Sequence, residues 1–273
     1  MDDAEVNRDA RFRGRIPDVY QGLLVPMIFE AAAESLAGVV AGLSPRDILE
    51  TAAGTGALTR ALVRSCPDAT ITATDLNQPM LDAATRQHPE TSAVTWQQAD
   101  ALELPFDDET FDVVACQFGV MFFPDRVRGF REAGRVLRPG GSFVFSTWDR
   151  IERNEVPFVI QSALVAVTPD DPLTFMSRRP HGYFSPAQIV ADLEAAGMPG
   201  ATIRAVDGTS HTSAAEAAVA FCQGTPLRGA IEDHETLSVD EATVMAEDAL
   251  RRHFGPGAFD AAIRSFEVVA RRA

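Results

Sequence analysis

Between residues 46 and 150 short apolar runs alternate with segments of helical spacing, and this alternation constrains the fold more than any other feature. Strands are expected over 48–52, 69–74, 94–98, 111–118 and 142–148. Helices are expected over 58–64, 79–86 and 126–137. Strands separated by single helices pair in parallel, because the crossover returns each strand to the same end of the sheet. A parallel sheet is covered on both faces, so its strands read as continuous apolar runs. The run Phe111-Asp112-Val113-Val114-Ala115-Cys116-Gln117-Phe118 is apolar enough to be central.

The flanks extend this core. Residues 19–43 place Leu24, Ile28, Ala32, Leu36, Val39, Val40 and Leu43 at helical spacing, with a bend expected where Pro26 removes a backbone donor. After Asp149 helices are expected over 154–167, 186–197, 214–223 and 239–254. The second of these begins with a Ser185 cap and Pro186 in the first turn. A sixth strand is expected over 201–206, and 263–270 reads as a seventh strand rather than a helix. The expected fold is α/β, a Rossmann-like, doubly wound and mostly parallel seven-stranded sheet, with helical insertions forming a lid. The organisation is an N-terminal arm over 1–15 and one domain over 16–273. Within it the core spans 44–150, and covering insertions span about 151–184 and 212–257.

Composition narrows the partners. The 273 residues are 46% hydrophobic, and no apolar run reaches the roughly 18 residues of a membrane span. The acidic start, Met1-Asp2-Asp3-Ala4-Glu5, lacks the basic-then-apolar order of a secretory signal, so a cytoplasmic protein is expected. The 24 basic residues are all arginine and face 39 acidic ones, giving a net charge of −15. Such a surface opposes phosphate backbones and anionic membranes; the densest basic cluster, Arg8, Arg11, Arg13 and Arg15, lies in the arm. Cys66, Cys116 and Cys222 are far apart, and with no Cys/His pair at metal-ligand spacing no metal is expected. The sequence leaves the oligomeric state open.

The chemistry concentrates at strand ends. In Glu50-Thr51-Ala52-Ala53-Gly54-Thr55-Gly56 a strand ends on a carboxylate, turns through small residues and opens a helix. Small residues allow close backbone approach to a ligand, and the helix start presents free N–H groups. By itself such a turn serves many ligands, or none. Asp75 ends the second strand 25 positions later, placed to accept from a ribose diol, with Leu76 beside it to pack on an adenine face. Asp100 ends the third strand, where it could accept from an exocyclic adenine amine. Gln117 lies at the end of the fourth. The turn Arg138-Pro139-Gly140-Gly141 reverses a helix into an inner strand.

These five segments, in this order, resemble the class I S-adenosylmethionine-dependent methyltransferases, in particular the small-molecule group that includes the ubiquinone and menaquinone C-methyltransferases. The resemblance covers about residues 46–150. The family's glycine-rich loop stands here with Ala52 in place of its first glycine. The resemblance implies that Glu50 and the loop through Ala52, Gly54, Thr55 and Gly56 hold the methionine moiety. It implies that Asp75 holds the ribose, that Leu76, Asp100 and Ala101 surround the adenine, and that Gln117 and Phe118 lie near the methionine amino group. Tyr20, on the first helix, would close over the cofactor. The implied activity is methyl transfer from S-adenosylmethionine to an oxygen, carbon or nitrogen of a small-molecule acceptor, apolar or aromatic.

Three rival readings are weighed against it. A dinucleotide fingerprint fails at Thr59, and Glu50 would repel a pyrophosphate. A protein methyltransferase would carry an Asn/Asp-Pro-Pro-Tyr motif where Gln117-Phe118-Gly119-Val120 stands. A catalytically silent, cofactor-binding relative stays open. Methyl transfer needs alignment more than acid–base machinery, and a general base helps where the acceptor must lose a proton. His181 and Tyr183, in a loop expected to cover the site, are the catalytic candidates. Met121, Phe122 and Trp148 are expected in the substrate pocket, as family members line theirs from those positions, with His211 and Gln223 added from loop position.

Overall fold

The computed structural model describes residues 16–87 and 93–272; the arm at 1–15, with its arginines, lies outside the described residues. The chain runs α1 (Ile16–Ala41), β1 (Asp47–Glu50), α2 (Ala57–Ser65), β2 (Thr70–Asp75), α3 (Gln78–Gln87), β3 (Val94–Gln98) and β4 (Phe111–Gln117). It continues with α4 (Arg126–Val136), β5 (Leu137–Trp148), α5 (Glu155–Val167), α6 (Phe175–Arg178), α7 (Pro186–Ala195) and β6 (Thr202–Ser213). It ends with α8 (Ala214–Gly224), α9 (Leu227–Glu232), α10 (Val239–Phe254) and β7 (Ala258–Arg271).

The seven strands form one sheet in the order β3-β2-β1-β4-β5-β7-β6. Strands β1 to β5 pair in parallel, and β7 inserts antiparallel between β5 and β6, so six of the seven strands run the same way. The strand order reverses between β1 and β4, and the carboxyl ends of the strands around such a switch point frame a crevice.

Each face of the sheet is sealed by its own apolar cluster. On one side Leu36 and Val40 of α1 and Leu58 and Leu62 of α2 pack on Ile48, Ile71, Val113 and Val144. On the other, Phe130 and Val136 of α4 and Ile189 and Leu193 of α7 pack on Val114, Phe143 and Phe145. A third cluster gathers Ile160 and Leu164 of α5, Phe221 of α8 and Leu250 of α10 around Leu24 and Met27 of α1. The later helices therefore form a separate layer, locked to the core through the first helix. Capping boxes Ser213/Glu216 and Ser238/Glu241 start α8 and α10, each satisfying orphan backbone donors in both directions.

Several boundaries differ from the sequence reading. Helix α1 passes through Pro26 within a π-helical segment, Tyr20–Phe29, in which Glu30 N donates to Val25 O. The wider turn accommodates the missing proline donor without breaking the helix. With 26 residues and a mean hydropathy of 1.7, α1 would cross a membrane by length and composition, contrary to the expectation that no such segment exists. In the fold half of that apolar window is buried. The turn at 138–141 lies within β5. Strand β6 runs seven residues past 206 through Asp-Gly-Thr-Ser-His-Thr-Ser, held by its ladder with β7 rather than by apolar side chains. Helices α6 and α9 carry too few residues to show a period.

Candidate functional site

The loops after β1 and β4 meet at the switch point. Ala52, Gly54 and Phe118 all take left-handed backbone conformations there, at φ of 53°, 56° and 51°. Non-glycine residues rarely adopt this region, and such strain concentrates at functional sites. The two loops touch at Gly119: a Cβ there would lie 2.5 Å from Ala52 Cβ and 2.7 Å from Cys116 Sγ. Glycine is required by space at that crossing.

Asp75 is 7% exposed, and its carboxyl holds the first loop. One oxygen accepts from Gly54 N at 2.9 Å; the other accepts from Asn77 N at 2.7 Å and from Asn77 Nδ2 at 3.3 Å. Burial pushes this carboxyl above the usual range, against those bonds. Glu50 goes elsewhere. It is fully buried, with Oε2 accepting from Thr59 Oγ1 of α2 at 2.6 Å. Burial, aided by the nearby Asp75 charge and opposed by Thr59 and Arg60, pushes its carboxyl up to about 8.

A cavity of about 630 Å³ opens at this end of the sheet. At one end it is lined by Ala52, Gly54, Asp75, Leu76, Met80, Asp100 and Ala101. Leu76 is 50% exposed, an apolar side chain left for a partner. Asp100 accepts from Leu102 N at 2.8 Å, turning its loop back on itself. Gln117 and Phe118 mark the middle, where Gln117 Nε2 donates to Phe29 O and so ties β4 to the π-helical segment.

The far end is aromatic. Tyr20 stacks on Phe29 with ring centroids 5.0 Å apart, and Phe29 meets Phe118 at 5.7 Å and Trp148 at 6.2 Å. Phe118 and Trp148 are stacked at 3.8 Å and 3°, and Trp148 lies 6.0 Å from His181. Phe122 also lines the cavity, and Pro157, Phe175, Met176 and Phe221 roof it from the later helices. His181 is buried, its Nδ1 2.9 Å from Asp149 O; a carbonyl only accepts, so Nδ1 carries the hydrogen. Burial pulls its imidazole down to about 4. A second cavity, lined by Arg150, Glu152, Arg153, Ser177 and Phe184, shares His181 as a wall.

Seven of the expected site residues stand outside the cavity lining. Glu50 turns toward α2, and Thr55 and Gly56 are spent on the entry to that helix; Gly56, at φ 79°, is its left-handed cap. Met121 is core beneath the sheet end. Tyr183 is buried outside the cavity lining, with its hydroxyl donating to Asp192 Oδ2 at 2.8 Å and Arg126 over its ring, which makes it a clamp between loop and α7. His211 is exposed on β6 against Asp260 of β7, because the longer strand carries it away from the sheet end. Gln223 donates to Thr243 of α10 inside the helical layer. Sequence reasoning missed Phe29, the hub of the aromatic wall: the π turn shifts the helical phase and takes it off the 3.6-residue stripe.

Residues 49–145 match the family described as a methyltransferase domain. Over 115 residues the chain is 39% identical to a demethylmenaquinone methyltransferase of Deinococcus radiodurans, covering 42% of this chain and 46% of that protein. Over 114 residues it is 36% identical to a malonyl-[acyl-carrier protein] O-methyltransferase of Hahella chejuensis, covering 42% and 40%. The matched region thus spans less than half the length of these relatives. Among solved structures, an S-adenosylmethionine-dependent methyltransferase from Thermotoga maritima superposes with a TM-score of 0.55 at 14% identity, covering 98% of this chain and 99% of that one. Haemonchus contortus phosphoethanolamine N-methyltransferase 2 superposes with a TM-score of 0.58 at 16% identity, covering 94% and 57%. At these identities the structures speak for the fold, and the matched segment for the domain: residues 49–145 match a methyltransferase domain, set in a fold shared with solved methyltransferases.

Proposed function

We propose that this chain transfers the methyl group of S-adenosylmethionine to a small apolar or aromatic acceptor. The observation that carries the reading is the single cavity joining a polar, carboxylate-bearing end at Asp75 and Asp100 to an aromatic end at Phe29, Phe118 and Trp148. The polar end fits the cofactor. Asp75 has three donors on roughly four lone-pair sites, and releasing the long Asn77 amide contact leaves room for both hydroxyls of a ribose. Leu76 and Met80 offer apolar faces for adenine, with Asp100 beside them.

When bound, the cofactor supplies an electrophilic methyl on a sulfonium. The chain's own task is alignment and exclusion of water, which for oriented reactants is worth several kcal/mol. The strained loops at Ala52 and Gly54 hold the cofactor from below, Tyr20 of α1 closes over it, and the aromatic wall orients the acceptor. Glu50 is assigned a supporting role, holding α2 through Thr59. His181 is the proposed catalytic residue. The layer built from 151–184 and 212–257 is read as the cover of a cofactor-binding core at 44–150, within one domain over 16–273. Three buried free thiols fit a reducing compartment, and the cytoplasm is the proposed location.

The test is calorimetric titration of S-adenosylmethionine into purified protein, followed by a screen of acceptors for release of S-adenosylhomocysteine. Binding with turnover on an apolar acceptor is expected. A folded protein that binds no cofactor would overturn the reading, and one that binds it without any turnover would favour a silent relative.

A further inference from the structure

Resting on the methyltransferase reading, we infer that the acceptor is an uncharged ring compound with an ionisable hydroxyl, methylated on that oxygen while His181 Nε2 takes the proton.

The cavity's inventory of charge and hydrogen bonds argues for this. Its charged lining residues, Asp75 and Asp100, are both at the cofactor end. Among the described residues that line the aromatic end, no carboxylate stands ready for an ammonium and no guanidinium for a carboxylate. An ion there would lose its water without gaining a counter-charge, so charged acceptors are disfavoured.

Several polar groups at that end are committed to the protein. Asn154 Nδ2 donates to the carbonyls of Asp149, Arg150 and Arg264, and its Oδ1 accepts from Arg264 N. Thr225 Oγ1 donates to Phe221 O and accepts from Leu227 N. Gln117 Nε2 is committed to Phe29 O. His181 differs. Its Nδ1–H is fixed on Asp149 O, which leaves Nε2 with its lone pair as the ring nitrogen for a ligand. That atom accepts and does not donate, so it selects an O–H over a carbonyl. The stacked Phe118 and Trp148 rings lead up to the His181 ring, a surface suited to a flat partner. Burial keeps the imidazole neutral at pH 7 despite the charges of Asp149 and Glu152 near it, and the arginines 150 and 153 of the adjoining cleft favour the same neutral form.

The step balances. The acceptor O–H breaks and its proton joins Nε2, while an oxygen lone pair forms the new C–O bond. The C–S bond of the sulfonium breaks and its electron pair stays on sulfur, leaving a neutral thioether. One positive charge passes from sulfonium to imidazolium, so the cavity's net charge is unchanged; the imidazolium then releases its proton to water.

The experiment separates this inference from the reading beneath it. Protein is first titrated with S-adenosylhomocysteine, and the loaded protein then with 1-naphthol, 1-naphthoate and 1-naphthylmethylammonium, three probes of one skeleton. At least tenfold tighter binding of the naphthol than of either ion is expected. In His181→Asn, whose amide can keep the bond to Asp149 O without offering an Nε2, naphthol binding should weaken about tenfold with unchanged S-adenosylhomocysteine affinity. With a deuterated methyl donor, the label should appear as a naphthyl methyl ether. Equal binding of either ion, undiminished naphthol binding by His181→Asn, or label on ring carbon would overturn the inference while leaving the methyltransferase reading intact. Failure of the first titration would remove both.

Discussion

Replacing Asp75 by Asn tests the cofactor end most sharply, because the side chain keeps its shape and loses its charge. In the native protein one carboxyl oxygen accepts from Gly54 N and the other from Asn77, so both face donors. An asparagine turns one of those oxygens into an NH2 group, which meets a backbone N–H and has no lone pair for a ribose hydroxyl. Hydrogen bonds to charged groups contribute about 1.5–3 kcal/mol each. Losing one, and weakening its neighbour, should cost roughly 2–4 kcal/mol of binding, a Kd higher by about 30- to 700-fold. The local donor clash should cost about 1–2 kcal/mol of stability by itself. Calorimetric titration of S-adenosylhomocysteine reads the first effect and urea unfolding of the free protein the second. A folded Asp75→Asn protein binding within twofold of wild type would refute the ribose assignment.

Gly119→Ala should push the two cofactor loops apart, since the new methyl would sit 2.5 Å from Ala52 Cβ; a stability loss of about 1–3 kcal/mol and weaker S-adenosylhomocysteine binding are expected, by urea unfolding and calorimetry. Phe130→Ala empties a fully buried site beside Phe143 and Phe145 and should cost about 3–5 kcal/mol in the same unfolding assay. Two buried groups give opposite pH dependences. His181 is held down to about 4 from 6.5, so the unfolded chain binds the extra proton in that window; its contribution, roughly 3 kcal/mol, is lost as pH falls from 6.5 to 4. Glu50 is pushed up to about 8 from 4.5, so the folded chain keeps a proton the unfolded one releases, and stability falls as pH rises from 4.5 to 8. Glu50→Gln should therefore gain stability relative to wild type between pH 5 and pH 8, measured as urea midpoints; a constant difference would refute the burial argument.

The sequence by itself determined the layered α/β architecture, because the signals involved are local. Strand β3 carries the limits read from its residues, 94–98, and α8 and α10 begin at caps written within four residues. Asp75 and Gln117 were likewise legible as the last residues of their strands, while Asp100 lies two residues past the end of β3 rather than closing it. Tertiary structure decided which strand-end carboxylate meets the cavity. Glu50 and Asp75 look alike in sequence, yet the packing of α2 captures Glu50 through Thr59 and leaves Asp75 at the cavity wall. Packing also decided the aromatic wall, which joins residues 20, 29, 118, 148 and 181 from elements far apart in the chain, and the length of β6, which follows from its ladder with β7. Periodicity and capping act over one or two turns and can be read from neighbours. Side-chain direction at a loop and the pairing of distant elements are set by what packs on them, and no short stretch of sequence carries that information.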